Sequence, residues 1–397
     1  MHLLEVSANP QSPPAPGPAV RRDGKDSSRL VLVDLARVAA LLFMIQGHAL
    51  DALLAPAYRV GVLFDGWLFL RGLTAPVFFT LSGVSFTVAS MKSWDAYARP
   101  SWKVLRRLGR FSFFILLGYA IHLPAGSLRD FQFVDAVGWQ SWFQVDVLQC
   151  IGLALLGLQI MALLAATPAR LACWSAVAAA AVILLTPLVW AVDWLGLVPM
   201  PLAAYLNART GSYFSLFPWA GYVFFGAASG YLVREWSVEG KSIRMLAVSG
   251  AVLGAAGLLL IQPLMLLYVH LDFWKTSPSL FLIRAGCVCF LLTLFAWIAA
   301  RFNVPHRACR VLAQESLLIY FVHLCILYGS IWNPGLRQML GASLAPLPAL
   351  GAICVLIVSM LLLAWSWNWF KRAEPRRSYV LRFAVLLLAL YRPWPWV

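Results

Sequence analysis

Residues 31–53 form an apolar run interrupted by polar groups: Asp34, Arg37, Gln46, His48 and, near its end, Asp51. An ionisable residue inside a membrane-spanning helix costs about 2.5–3.5 kcal/mol on insertion scales, so each asks for a reason. Asp34 and Arg37 are three residues apart and can neutralise each other on one helix face. Arg37 and His48 are eleven apart, close to three full turns, which sets them on a common face about 16 Å apart along the axis. An imidazole at that depth can act as a general base or carry a group transiently as a nucleophile. Asp51, one turn beyond His48, is expected to orient the ring or hold its charged form. Singly, Arg37 reads as a snorkelling anchor and His48 as a hydrogen-bonded core residue. Together on one face, they read as a site.

Three other segments carry polar groups at helical spacing. Lys103-Val-Leu-Arg106-Arg107-Leu-Gly-Arg110 puts Arg106 and Arg110 one turn apart. A helix start there presents guanidinium groups suited to phosphate, although the same cluster reads equally well as a topology signal. In Arg71-Gly-Leu-Thr-Ala-Pro76-Val-Phe-Phe-Thr80-Leu-Ser82-Gly83 the missing N–H of Pro76 predicts a kink or break, whether for packing or for a site. Broken helices are tolerated at membrane depth beside protein or a wet cavity, and Thr80 and Ser82 are expected to line such a cavity. Ser316, Tyr320 and His323 fall at i, i+4 and i+7, a single polar stripe. His323 is expected either to share a cavity with His48 or to be bonded within the bundle. His2, His122, His270 and His306, in the tail, at span ends or in an inner loop, carry no such expectation.

The elements that must position these residues are transmembrane helices. The 397-residue chain is 61% hydrophobic and 12% charged, with mean hydropathy +0.78. That leaves too little polar surface to coat a water-soluble globule. Ten runs have about the 20 apolar residues that a span needs: 31–53, 67–90, 108–123, 146–166, 171–193, 213–233, 245–268, 280–300, 311–331 and 347–370. The net charge of +15 sits in short clusters between these runs. Setting Arg37 aside, twenty-three lysines and arginines fall on the side of the N-terminus and seven on the other. This bias puts both termini in the cytoplasm. The expected fold is all-α, a polytopic integral membrane helix bundle of about ten transmembrane helices in the cell (inner) membrane. Residues 1–28 read as a disordered cytoplasmic tail, 29–371 as the transmembrane domain, and 372–397 as a basic cytoplasmic tail with a short interfacial segment, Phe383–Tyr391. The basic clusters read as topology signals, so no nucleic-acid partner is expected. The seven cysteines lie in or beside apolar runs without ligand spacing, so no metal is expected. In the loop 124–145, Trp139, Trp142 and Phe143 beside carboxylates read as an interfacial belt or a sugar-stacking surface.

Six stretches, in order from residue 30 to about 330, carry a family resemblance. Arg37-(ten residues)-His48 and Arg106-Arg107-x-x-Arg110 resemble the transmembrane acyltransferase superfamily, which includes the acyltransferase type-3 proteins. Leu73-Thr-Ala-Pro-Val-Phe-Phe-Thr-Leu-Ser-Gly83, Asp146-Val-Leu-Gln149-Cys-Ile-Gly152, Phe217-Pro-Trp-Ala-Gly-Tyr-Val-Phe-Phe-Gly226 and Ser316-Leu-Leu-Ile-Tyr-Phe-Val-His323 are similar to its heparan-alpha-glucosaminide N-acetyltransferase branch. Val38 departs from the pattern, in which the first-span arginine is followed by Arg-Gly. The resemblance implies acyl transfer from cytoplasmic acyl-CoA, acetyl-CoA above all, to a hydroxyl or amine of an extracytoplasmic, carbohydrate-like acceptor. It implies that Arg37, Arg106, Arg107 and Arg110 hold the donor and that His48 is base or transient acyl carrier. Asp51 would orient His48, Tyr320 would steady an oxyanion, and His323 would face the same cavity. Thr80, Ser82, Asp146 and Gln149 are the expected acceptor-side residues. A secondary transporter or flippase that uses the buried Arg and His as a proton or substrate pathway is the alternative from another class. A catalytically dead relative acting as a scaffold is a third.

Overall fold

Hydrocarbon offers no partner for backbone N–H and C=O, so apolar runs of this length must satisfy both within their own helices. The structure, a computed structural model, describes residues 24–377 apart from 127, 128, 270 and 331, together with residue 380. Its long elements are α1 (Gly24–Leu53), α2 (Val62–Arg71), α3 (Thr74–Met91), α4 (Trp102–Ile121), α5 (Val147–Leu164), α6 (Pro168–Ala191), α7 (Leu216–Val238), α8 (Ser242–Leu259), α9 (Pro278–Arg301), α10 (His306–Gln314), α11 (Ser316–Tyr328) and α12 (Pro346–Ala373). The protein is an all-α, multi-pass bundle. Among the described residues eight segments are long and apolar enough to cross a membrane, with α2 and α3 together forming one of them. The pair α10–α11, bent by 60°, makes a ninth if it is a single span. The third expected span corresponds to α4, whose first half carries Lys103, Arg106, Arg107 and Arg110. Of the expected tail 1–28, residues 1–23 lie outside the described residues and Gly24 already begins α1; Phe383–Tyr391 also lies outside.

Large side chains such as Val177, Val252, Val355 and Leu362 are more than half exposed on the flanks, where they meet hydrocarbon. Inside the bundle, association relies on close backbone approach, which small residues allow. A Cβ on Gly83 would collide with the Val223 carbonyl, and one on Gly226 with the Thr80 carbonyl, so α3 and α7 lie backbone to backbone. Gly250 and Gly286 do the same for α8 and α9.

α1 runs through the middle, packed on α3, α9, α10, α11 and α12. Its C-terminal end is tied by Leu344 N–H to the Leu53 carbonyl and by Ala55 N–H to the Leu344 carbonyl, both at 2.9 Å. Between α2 and α3 the helix breaks at Gly72–Leu73, about one turn before Pro76. That is where the proline ring would otherwise meet the backbone. The bend between α10 and α11 is held at buried Glu315, which accepts from Asn368 Nδ2 at 2.8 Å and pairs with Lys371, both on α12.

Candidate active site

α1 brings Arg37 and His48 to one cavity of about 1100 Å³. The other walls come from α3, α4, α5, α10 and α11, with Trp190, Tyr213, Trp219, Trp274 and Arg284 towards the end remote from the basic clusters. Among the described lining residues Asp146 alone is acidic, against Arg37, Arg71, Arg107, Arg110, Lys275 and Arg284. Such a cavity favours an anionic occupant.

At the basic end, Arg107 and Arg110 line the cavity one turn apart on α4. Arg107 is locked in place: its Nη1 donates to Ser90 Oγ at 2.8 Å and to Gln159 Oε1 at 3.3 Å. Its guanidinium carbon lies 3.6 Å from the Tyr97 ring centroid and 4.7 Å from that of Phe86. Arg110 is exposed to the cavity without such a cage. Arg106, expected to pair with Arg110, is exposed, stands over Trp102 and is not among the lining residues. The helix turns it to another face, and the cavity-facing pair is i, i+3 rather than i, i+4. Deeper in, Arg37 Nη2 donates to Ser85 Oγ on α3 at 2.8 Å.

His48 is held by Tyr328. The phenol donates to the His48 carbonyl at 3.3 Å, so it accepts from Nδ1–H at 3.4 Å. This leaves Nε2 as the basic nitrogen of the ring. Behind it stands His323, fully buried, with ring centroids 5.5 Å apart. His323 Nδ1–H donates to the Ile319 carbonyl at 2.8 Å, and its Nε2 has no hydrogen-bond partner. His323 therefore adjoins His48 without lining the cavity itself.

Asp51 makes its carboxylate hydrogen bonds to Arg71 rather than to His48. Its carboxylate is gripped by Arg71, with Nη1 donating to Oδ1 at 2.8 Å and Nη2 to Oδ2. Its carbonyl accepts from Arg59 at 3.0 Å. Trp67 reinforces the clasp, lying under the Arg71 guanidinium at 5.5 Å and donating to Gln46 Oε1 at 3.0 Å. The expected orienting role fails because the break after α2 swings Arg71 onto the carboxylate. The clasp lies close over Gly47, where a Cβ would come within 2.9 Å of Arg71 Nε.

The carboxylate that does line the cavity is Asp146, the N-cap of α5. Oδ1 accepts from Val147 N–H at 2.7 Å, and Gln149 Oε1 accepts from Asp146 N–H at 3.1 Å, closing a capping box. Oδ2 accepts from Tyr320 Oη at 3.1 Å and lies 3.5 Å from His122 Nε2. The Tyr320 proton is thus committed to Asp146, not offered to an oxyanion as expected. Gln149 is fully buried in the capping box, against Gly118, and does not reach the acceptor side. Thr80 is likewise fully buried where α3 crosses α7, while Ser82 does line the cavity, donating to the Phe78 carbonyl at 2.8 Å. The expected loop 124–145 contains a short helix, Ala136–Phe143, on which Trp139 and Trp142 each stack on Phe143, with centroids 5.8 and 5.2 Å apart.

His122, Arg71 and Tyr328 are the site residues that spacing missed. His122 follows the end of α4 and meets Asp146 only because α4 packs on α5 across a 25-residue connection, a relation with no periodic signal. Among the described residues no group of three metal-ligating side chains converges.

Comparison with known proteins gives one family. Residues 29–260 match the model of the family described as Heparan-alpha-glucosaminide N-acetyltransferase, catalytic. No curated protein matches the chain.

Proposed function

Because that match spans more than half of its residues, the chain belongs to the heparan-alpha-glucosaminide N-acetyltransferase catalytic family, and from this premise we propose that it acetylates an amine of an extracytoplasmic carbohydrate with acetyl-CoA from the cytoplasm. The observation that carries this reading is the single cavity holding Arg110 and Arg107 at the basic end and His48 in its interior.

The guanidinium groups of Arg110 and Arg107 meet the donor's phosphates through charge-assisted hydrogen bonds. The donor's arm then lies along the α1 face from Arg37 to His48, about 16 Å by helical rise, with Arg37 holding it part-way. The acceptor enters from the end lined by Trp190, Tyr213 and Trp274, with Ser82 and Asp146 among the polar groups available to it. His48 Nε2 takes the proton from the attacking nitrogen as the C–N bond forms, and returns it to the sulfur as the C–S bond breaks. His323 packs behind the His48 ring, with centroids 5.5 Å apart. The basic end corresponds to the cytoplasm by the charge bias.

Purified protein in proteoliposomes, given acetyl-labelled acetyl-CoA and D-glucosamine, should form labelled N-acetylglucosamine, and His48→Gln should slow it by about 10²–10⁴-fold while acetyl-CoA still binds. Solute uptake independent of acetyl-CoA would replace this reading with that of a transporter.

A further inference from the structure

Transfer to an amine has a proton balance that one histidine does not close. A primary amine of pKa about 8 is largely an ammonium ion at neutral pH, and nucleophilic attack needs its lone pair. One proton must therefore leave before attack, and a second leaves during it. His48 handles the second, because that proton ends on the departing sulfur. The first requires another acceptor with a route to solvent.

Asp146 and Tyr320 line the same cavity, and His122 stands against Asp146 without lining it. Asp146 is the only acidic residue among the described lining residues, and so the natural counter-ion for an ammonium group. Its Oδ2 lies 3.5 Å from His122 Nε2, a buried nitrogen with no hydrogen-bond partner, while the His122 side chain as a whole is 22% exposed. Tyr320 Oη, 3.1 Å away, fixes the carboxylate from α11, and Val147 N–H fixes it from α5. The charged or titratable groups facing this cluster are His48 of α1, Tyr320 of α11 and His122 of α4, with Arg71 and Asp51 clasped together beside His48.

We propose that Asp146 and His122 form a second proton acceptor, in which Asp146 pairs with the acceptor's ammonium group and His122 carries its first proton away to solvent. This rests on the amine-acetylation reading above. The ammonium gives one N–H proton to Asp146, which passes it to His122 Nε2 and regains its charge. The neutral amine then attacks the thioester, the C–N bond forms and the C–S bond breaks. His48 moves the remaining proton from nitrogen to sulfur, and His122 discharges its own to solvent. Asp146 touches the substrate, whereas His122 acts through it as a positioning and relay residue.

The test is the pH profile of kcat/KM for acetyl transfer from acetyl-CoA to D-glucosamine, for the full-length protein and for Asp146→Asn and His122→Gln. Asparagine caps helices as well as aspartate does, so Asp146→Asn removes the charge and keeps the start of α5. Both variants should lose about tenfold relative to wild type at about pH 6.5 and recover to within about twofold above about pH 8.5, where the amine is already neutral. His48→Gln should stay about 10²–10⁴-fold below the wild type throughout. Variant profiles parallel to that of the wild type would overturn the relay and leave the acetylation reading intact. A wild type that never acetylates glucosamine would overturn both.

Discussion

The imidazoles of His48 and His323, residues 275 positions apart in the chain, lie with centroids 5.5 Å apart, and only His48 lines the cavity. The two rings therefore make separable predictions. His48→Gln should lower kcat by about 10²–10⁴-fold, the usual contribution of general acid–base catalysis. His323→Phe keeps the packed ring and loses the free Nε2. It should reduce kcat by no more than about tenfold with KM for acetyl-CoA unchanged, as expected of a group that touches neither substrate. Steady-state kinetics on both variants checks the order; equal losses would mean that His323 is as directly involved as His48.

The arginines of α4 should divide by where they point. Arg110→Ala should raise KM for acetyl-CoA, with the wild-type advantage shrinking as salt is added, because the contact is electrostatic and partly open to solvent. Arg106→Ala should leave KM within about twofold of wild type, as expected of an exposed charge outside the site. Arg107→Ala should lower thermal stability as well, since it empties the cage formed by Ser90, Gln159, Tyr97 and Phe86. A larger KM effect for Arg106 than for Arg110 would contradict the geometry.

The clasp between Arg71 and Asp51 pins α2 to α1 beside Gly47. Removing one partner leaves a half-buried charge without its mate, whereas removing both does not. Arg71→Met or Asp51→Asn alone should reduce both thermal stability and activity, and the double variant should regain part of the stability. Thermal unfolding in detergent, arranged as a double-mutant cycle, measures the coupling. Additive losses would show that the two side chains do not act as a unit.

Helix packing offers a prediction free of catalysis. A methyl group on Gly226 collides with the Thr80 backbone, while one on Gly351 of α12 meets nothing within 4 Å. Gly351→Ala should be neutral or stabilising by up to about 1 kcal/mol from helix propensity. Gly226→Ala should lower the thermal midpoint, because backbone cannot move aside as a flexible side chain can. Melting curves of the two variants decide it.

The length and apolarity of the runs, and the cost of leaving backbone unsatisfied in hydrocarbon, sufficed to read an all-α multi-pass bundle, the class of element carrying each polar residue, and the shared face of Arg37 and His48. These are properties of local sequence: composition within a window and period along one helix. Partnership across helices is another kind of information. Asp51 is near His48 by spacing, yet it belongs to Arg71, because the chain breaks at Gly72 and folds α2 back on α1. Arg106 and Arg110 share a face by spacing, yet the rotation of α4 in the bundle turns Arg107 with Arg110 inward instead. Asp146 meets His122 and Tyr320 from three different helices, and no periodicity within any of them encodes that meeting. In a membrane, lipid-facing and protein-facing surfaces are equally apolar, so only the packed structure decides which polar groups see the same cavity.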